Sequence, residues 1–179
     1  MIPNPPKRED MPVQCEPLTV QQIAEQPVFF EFSRELPCSP SALFAHFEDP
    51  LTWPRWATGI GAVIWTSSTP YGPGTTRTVR FWGGAEVYER FMVFEPPHRM
   101  AFTFEGTSEP IWEAFGERYE VEAVAEGQCR LTWGVGYRPM GVFGRIHPLI
   151  KPIMKVNLAS YLWRLERDLR RHGHRYEDR

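Results

Sequence analysis

Three polar residues, Arg90, Glu117 and Tyr137, could do chemistry because they lie in segments otherwise rich in large apolar side chains. An inward-facing arginine needs a partner, since a buried unpaired charge is costly. Arg90 could bind a carboxylate, phenolate or enolate of a ligand, pair with Glu86 or Glu117, or face solvent. Glu117 and Tyr137 could form an acid/base pair at the mouth of a pocket, although Glu117 could equally be a solvated rim residue.

Cysteine and histidine spacing gives no sign of covalent or metal chemistry. The three cysteines form no C-x-x-C pair, and no nucleophile, base and orienting group occur together. Cys38 and Cys129 end and begin strands that could be neighbours, but a disulfide is not expected in a reducing compartment. The five histidines are scattered. The sequence therefore predicts no metal site and no cofactor.

The composition narrows the class of protein. The 179 residues suffice for one domain with a sizeable core. A formal net charge of -2 argues against nucleic-acid binding, which usually requires an excess of basic residues. No apolar run reaches the roughly 18 residues of a membrane span, and the proline-rich start lacks the apolar segment of a secretory signal. We therefore expect a cytoplasmic location.

The longest amphipathic segment, residues 150–171, organises the rest of the chain. Its apolar residues recur at steps of three and four, which places them on one face of a helix: Ile150, Met154, Leu158, Tyr161, Leu162, Leu165 and Leu169. A helix of about 22 residues is roughly 33 Å long. Such a stripe needs a broad partner, and most of residues 27–138 read as β-strands. A curved antiparallel sheet closing around this helix is the simplest architecture.

The ends of the chain and the segment before the long helix read differently from the rest. Residues 1–18 are predicted to be a flexible proline-rich tail, 19–173 a single domain and 174–179 a C-terminal tail. Pro148 and Pro152 predict that the segment preceding the long helix is irregular or only partly helical.

Two short helices are predicted between the first and second strands. Ser39 followed by Pro40 is a strong start signal, because serine caps the free N–H groups and proline suits the first helical turn. Asp49 and Pro50 end this helix, and LTWPRW forms a second short turn. The first strand covers residues 28–36.

Turn signals predict how the later strands pair. The Gly83-Gly84 dipeptide predicts a two-residue hairpin loop. In that register Arg77 lies opposite Arg90, and Tyr88 and Arg90 share the face that we expect to be inward.

For the last hairpin, a three-residue loop at 126–128 is favoured, with Glu117 opposite Tyr137. A two-residue loop is rejected because it would place Glu120 opposite Trp133 and mix polar with apolar residues on one face.

The order of these elements resembles the START/Bet v 1-like helix-grip superfamily, in its polyketide cyclase/dehydrase-like branch. The segments that carry the resemblance are FEFSREL, CSPSALFAHFEDPLTWPRW, ERFMVFEPPHRMAF and the C-terminal helix, and it covers residues 28–171. It implies an α+β helix-grip fold, in which a seven-stranded curved antiparallel sheet wraps around the long C-terminal helix. It also implies a cavity between sheet and helix. Members bind lipids, sterols, polyketides, quinones or other apolar molecules, only some are enzymes, and no universal catalytic motif exists.

Under this fold, residues on the proposed inward faces and on the helix are candidate ligand contacts. Aromatic walls can stack on flat apolar ligands, although each residue could instead simply pack the core. Trp112 could be a lid over the pocket or a surface anchor. The candidates are Phe81, Tyr88, Arg90, Phe102, Phe104, Trp112, Glu117, Tyr119, Trp133, Tyr137, Met154 and Leu158.

Three hypotheses of function follow. The first is binding or transport of a hydrophobic or aromatic small molecule of the lipid, polyketide, quinone or sterol class. The second is a polyketide cyclase/aromatase-like enzyme, which would need an acid/base pair deep in the same cavity. The third is a protein-interaction module with a filled cavity and an exposed apolar patch.

Overall fold

Alternating apolar and polar side chains form strands through much of residues 7–176, the part of the chain that the computed structural model describes. The strands are β1 (Val13–Gln14), β2 (Val28–Leu36), β3 (Ile60–Trp65), β4 (Thr76–Phe81), β5 (Glu86–Glu95), β6 (Arg99–Thr107), β7 (Trp112–Ala125) and β8 (Gln128–Pro139). The helices are α1 (Val20–Ala24), α2 (Pro40–Glu48), α3 (Trp53–Trp56) and α4 (Gly141–His172), with short 3-10 turns at Arg8–Asp10 and Gly173–Arg175.

The strands form one antiparallel sheet that packs around α4. Their order is β2-β8-β7-β6-β5-β4-β3, and β1 adds to the end of β6. The short helices α2 and α3 lie between β2 and β3, as predicted. Ser39 begins α2 by accepting a hydrogen bond from the N–H of Ala42 at 3.2 Å. The predicted α+β helix-grip fold is confirmed.

The long helix α4 begins earlier than predicted. It covers 32 residues from Gly141 and includes Pro148 and Pro152. Both prolines lie on the exposed side of the helix, where the carbonyl groups that lose their N–H partners can be solvated. The prediction of an irregular segment before residue 150 is therefore wrong. None of the helices in the described part of the chain has the length and apolarity required to cross a membrane.

The N-terminal residues pack on the sheet rather than forming a tail throughout 1–18. Met11, Cys15 and Leu18 are buried, and Val13 pairs with β6. The approach is close enough that a Cβ atom on Gly106 would lie 2.7 Å from the carbonyl oxygen of Val13. Residues 1–6 of the predicted tail lie outside the described residues.

The C-terminal boundary also differs from the prediction. Tyr176 is buried, and its hydroxyl group donates a hydrogen bond to Asp49 Oδ2 at 2.8 Å. The packed structure therefore continues beyond residue 173, and residues 177–179 lie outside the described part.

The hairpin between β4 and β5 corrects the predicted register. Backbone hydrogen bonds close it with a three-residue loop, 82–84, rather than a two-residue loop. Arg77 consequently lies opposite Glu89 instead of Arg90. Because a one-residue shift moves every side chain of a strand to the other face, Tyr88 and Arg90 point outward.

The hairpin between β7 and β8 has a different loop but keeps the predicted inward face. Its loop has two residues, 126–127, and a β-bulge near Ala125 then changes the register by one more residue. Glu117 therefore lies opposite Val135, and not opposite Tyr137 as predicted. The apolar face is preserved because the loop and the bulge together shift the register by two residues.

Candidate ligand cavity

A cavity of about 190 Å³ lies between the inner face of the sheet, α3 and α4. Most of the predicted site residues line it: Phe81, Phe102, Phe104, Trp112, Glu117, Tyr119, Trp133, Tyr137, Met154 and Leu158. Trp53, Trp56, Phe115 and Tyr161 extend the aromatic wall. The structure thus brings these candidates together, while their contact with a ligand stays a prediction.

Two of the predicted site residues, Tyr88 and Arg90, lie outside the cavity. Arg90 is exposed on the outer face of the sheet and donates to Glu105, with 2.6 Å between Nε and Oε1. The hydroxyl group of Tyr88 donates to Glu86 at 3.1 Å. Both were predicted to face inward, and the three-residue loop between β4 and β5 is the reason that they do not.

Arg77 and Glu89 occupy the inward positions instead and form a buried ion pair. Sequence reasoning missed this pair because it placed Arg77 opposite Arg90. The predicted pairing of Arg77 with Arg90 was itself unfavourable, because like charges directly opposite each other destabilise a sheet. Shifting the register by one residue places Arg77 opposite Glu89.

Arg77 packs against aromatic rings, and one of its N–H groups has no hydrogen-bond partner among the described residues. Its guanidinium carbon lies 4.2 Å from the ring centroid of Trp53 and 4.9 Å from that of Phe102. Its Nη1 is buried and has no hydrogen-bond partner within residues 7–176, and the same holds for Nε1 of Trp56. Both residues line the cavity. Each of these two wall residues therefore has one buried N–H group without a partner among the described residues.

The carboxyl group of Glu117 can gain and lose a proton near neutral pH. Burial raises its pKa to about 7, while the hydrogen bond from Tyr119 opposes the shift and the nearby Glu89 adds to it. Its Oε2 accepts from the Tyr119 hydroxyl at 2.5 Å and from Trp133 Nε1 at 2.8 Å. The side chain is thus fixed in position beside the cavity.

Tyr137 has a partner other than the one predicted. Its hydroxyl oxygen lies 2.9 Å from Nε2 of His147 on α4, and burial raises the pKa of Tyr137 to about 12. Glu117 and Tyr137 therefore do not form the predicted acid/base pair. Trp112 packs edge-on against Tyr137 and Phe143, with centroid separations of 4.9 and 5.0 Å.

The chemistry available in the cavity is hydrogen bonding and proton transfer in an apolar setting. Arg77 and Trp56, two residues of its wall, have buried N–H groups without partners among the described residues, and Glu117 has a carboxyl group of near-neutral pKa. Within residues 7–176, no group of three His, Cys, Asp or Glu side chains has an arrangement that could hold a metal ion.

Comparisons with known proteins agree with this geometry. The family model described as "Polyketide cyclase / dehydrase and lipid transport" matches residues 28–170. An uncharacterized protein of Mycobacterium tuberculosis, Rv2574, is 38% identical over 153 residues, which cover 86% of this chain and 91% of that protein.

Solved structures share the fold at low identity. The Zhui aromatase/cyclase of a Streptomyces species has a TM-score of 0.66 at 9% identity, covering 81% of this chain and 94% of that one. A START superfamily protein from Mycobacterium smegmatis has a TM-score of 0.61 at 11% identity, covering 84% and 97%. At these identities the likeness concerns the fold alone. The chain belongs to the polyketide cyclase/dehydrase and lipid transport family.

Proposed function

We propose that the cavity binds a small aromatic molecule that carries an oxygen acceptor, such as a carbonyl or phenol group. The observation that carries this proposal concerns Arg77, a residue of the cavity wall whose buried Nη1 has no hydrogen-bond partner among the described residues. Leaving a buried donor unpaired is costly. A ligand oxygen that accepts from Nη1 removes this cost, and the aromatic wall stacks on the ring.

The volume of the cavity favours a small ligand. Its roughly 190 Å³ is below the approximately 300–1,000 Å³ typical of sites for drug-sized molecules. An apolar cavity of about 150 Å³ can hold benzene. A ligand with one or two rings suits this size, whereas a sterol or a long acyl chain would require α4 to move away from the sheet.

A pair of probes of similar shape tests the role of the oxygen. Tryptophan fluorescence is titrated with naphthol and with naphthalene, because several tryptophans line the cavity. We expect naphthol to bind about tenfold or more tightly, as a hydrogen bond to a charged donor contributes roughly 1.5–3 kcal/mol. The double variant Arg77→Met/Glu89→Gln, which removes both charges of the pair, should lose this preference.

Arg90→Met is the matched control, because Arg90 lies on the same sheet but faces outward. It should keep the preference for naphthol. Equal affinity for the two probes in the wild-type protein, or a preference that survives in the double variant, would contradict the proposal.

Glu117 favours a second candidate function, a cyclase/aromatase-like reaction. A carboxyl group with a pKa of about 7 can take a proton from a carbon next to a carbonyl and return it to a leaving hydroxyl group. The enolate carbon attacks a second carbonyl, a carbon–carbon bond forms, and the resulting alkoxide takes a proton from the Glu117 carboxyl group. Glu117 then removes a second proton from the same carbon and returns it to the hydroxyl group, which leaves as water. The open cavity also departs from the filled interior that a protein-interaction module would have.

The test uses an acyclic diketone whose carbonyls are separated by three methylene groups, because it closes to an absorbing cyclohexenone with loss of water. We expect faster closure with the wild-type protein than in buffer, and loss of this rate with Glu117→Gln while naphthol binding is kept. No acceleration by the wild-type protein would rule out this reaction for the probe and favour binding alone.

A further inference from the structure

The outer face of α4 is apolar although it contacts solvent. We define this face as Val142, Ile146, Leu149, Ile153, Val156 and Trp163, whose exposed fractions range from 46% to 81%. Their spacing places them on one side of the helix. Pro148, Pro152 and Ala159, which are also exposed, extend this side. At about 100° per residue, these residues span an arc of roughly 160°, which also contains Arg145 and Ser160.

The domain does not use this face for its own core. The same turns of α4 direct Met154 and Leu158 toward the cavity, and the following turns bury Leu162 and Leu165. The helix is therefore apolar on two sides over this stretch. A contiguous exposed apolar patch of this kind is typical of an interaction site.

The charged residues of this stretch of α4 are all positive. Residues 141–165 include Arg145, Lys151, Lys155 and Arg164 but no aspartate or glutamate, although the whole chain has a formal net charge of -2. Arg145 and Lys155 are exposed. The local excess of positive charge complements an anionic partner.

We propose that the outer face of α4 docks on an anionic lipid surface. A helix with a broad apolar side and neighbouring cations lies in the membrane interface, with its apolar residues among the acyl chains and its cations at the headgroups. A second copy of this chain fits less well, because pairing would bring like charges together. The arc is also wider than the narrow apolar seam of a two-stranded coiled coil.

Docking would place the helix that closes the cavity beside a lipid surface. Met154 and Leu158 form part of the cavity wall, and Ile153 and Val156 belong to the outer face in the same turns. The proposal does not depend on which ligand the cavity binds, and its test requires no ligand.

Vesicle sedimentation with the full chain tests the docking. One set of vesicles contains phosphatidylcholine alone, and the other contains equal parts of phosphatidylcholine and phosphatidylglycerol. We expect binding to the anionic vesicles, little binding to the neutral ones, and weaker binding as salt is added. Ile153→Ser/Val156→Ser should weaken binding at least about tenfold, because two apolar side chains no longer enter the bilayer. Arg145→Glu/Lys155→Glu should abolish the preference for anionic vesicles.

Leu51→Ser is the matched control, because Leu51 is 75% exposed but does not lie on α4. It should bind vesicles like the wild-type protein. Light scattering is measured in parallel without lipid. Failure to sediment with anionic vesicles would overturn the proposal, as would a dimer that the Ile153→Ser/Val156→Ser variant dissociates, which would assign the face to a second copy. Naphthol binding is measured separately, so that failure of docking is distinguished from failure of the cavity proposal.

Discussion

Asp168 on α4 and Arg77 on β4 each lie in a buried cluster of charged groups, but the two clusters differ in how their charges are matched. Asp168 accepts from Arg55 Nε at 3.2 Å and lies 2.9 Å from His172 Nδ1. Arg77 pairs with Glu89 and lies over aromatic rings, yet its Nη1 has no partner within the described residues. The Asp168 cluster joins α3 and α4, whereas the Arg77 cluster lines the cavity.

The two clusters differ because a buried histidine can become neutral, whereas a buried arginine stays charged. His46 Nε2 lies 3.4 Å from Asp168 Oδ2, but neither ring nitrogen of His46 makes a hydrogen bond in the described part of the chain. Burial lowers the pKa of His46 to about 4, and the nearby Asp168 opposes this shift. His46 therefore avoids the cost of burial by losing its proton. The Nη1 of Arg77, a residue of the cavity wall, keeps no partner among the described residues. The Asp168 cluster thus contains a neutral imidazole, whereas the Arg77 cluster contains a cation with an unmatched donor.

Among these variants, Arg77→Met should have the largest effect on the free energy of unfolding. It leaves the Glu89 carboxylate buried without its partner, and we expect the free energy of unfolding at neutral pH to fall by about 3–5 kcal/mol. The double variant Arg77→Met/Glu89→Gln should recover most of this loss, because no buried charge remains. Urea unfolding of the three proteins measures both effects. A double variant that is as unstable as the single one would show that the charge balance is not the cause.

Glu117→Gln should change how stability depends on pH. The pKa of Glu117 is raised from an ordinary 4.5 to about 7, chiefly by burial, so its contribution to stability is full below pH 4.5 and is lost as the pH rises through about 7. Relative to Glu117→Gln, the wild-type protein should lose about 3 kcal/mol of unfolding free energy across this range. Urea unfolding at a series of pH values measures the difference. A difference that stays constant with pH would mean that Glu117 has the same pKa in the folded and the unfolded protein.

His46→Phe should show the opposite pH dependence. The pKa of His46 is lowered from 6.5 to about 4, so its contribution to stability is present above pH 6.5 and is lost as the pH falls toward 4. Between neutral pH and pH 4, the wild-type protein should lose about 3 kcal/mol relative to the variant. Only the pH dependence is compared, so a constant offset from the change of shape cancels. Parallel curves for the two proteins would indicate that His46 titrates normally.

Arg90→Met should have the smallest effect. The Arg90–Glu105 ion pair lies on the outer face, and such a pair contributes only about 0–1 kcal/mol because solvent screens it. Urea unfolding should therefore give nearly the wild-type free energy. Destabilisation as large as that of Arg77→Met would contradict the different roles assigned to the two arginines.

Much of the fold could be predicted from the sequence because the signals involved are local. Ser39 and Pro40 start α2 through the chemistry of the helix terminus, and the period of three to four residues identifies most of α4. The start of α4 could not be predicted this way. Whether Pro148 and Pro152 interrupt a helix depends on whether the freed carbonyl groups reach solvent, and tertiary packing decides that.

The residues of the cavity wall could likewise be predicted only in part. By itself, the alternation of side chains determined which residues of one strand share a face, so Phe102 and Phe104 on β6 could be assigned inward before any strand was paired. Which polar residues face the cavity was decided only by the tertiary structure. A single additional residue in the loop before β5 replaces Arg90 with Glu89 on the inner face, opposite Arg77. The physical reason is that the side-chain period of a strand is two, so a shift of one residue between strands exchanges its faces.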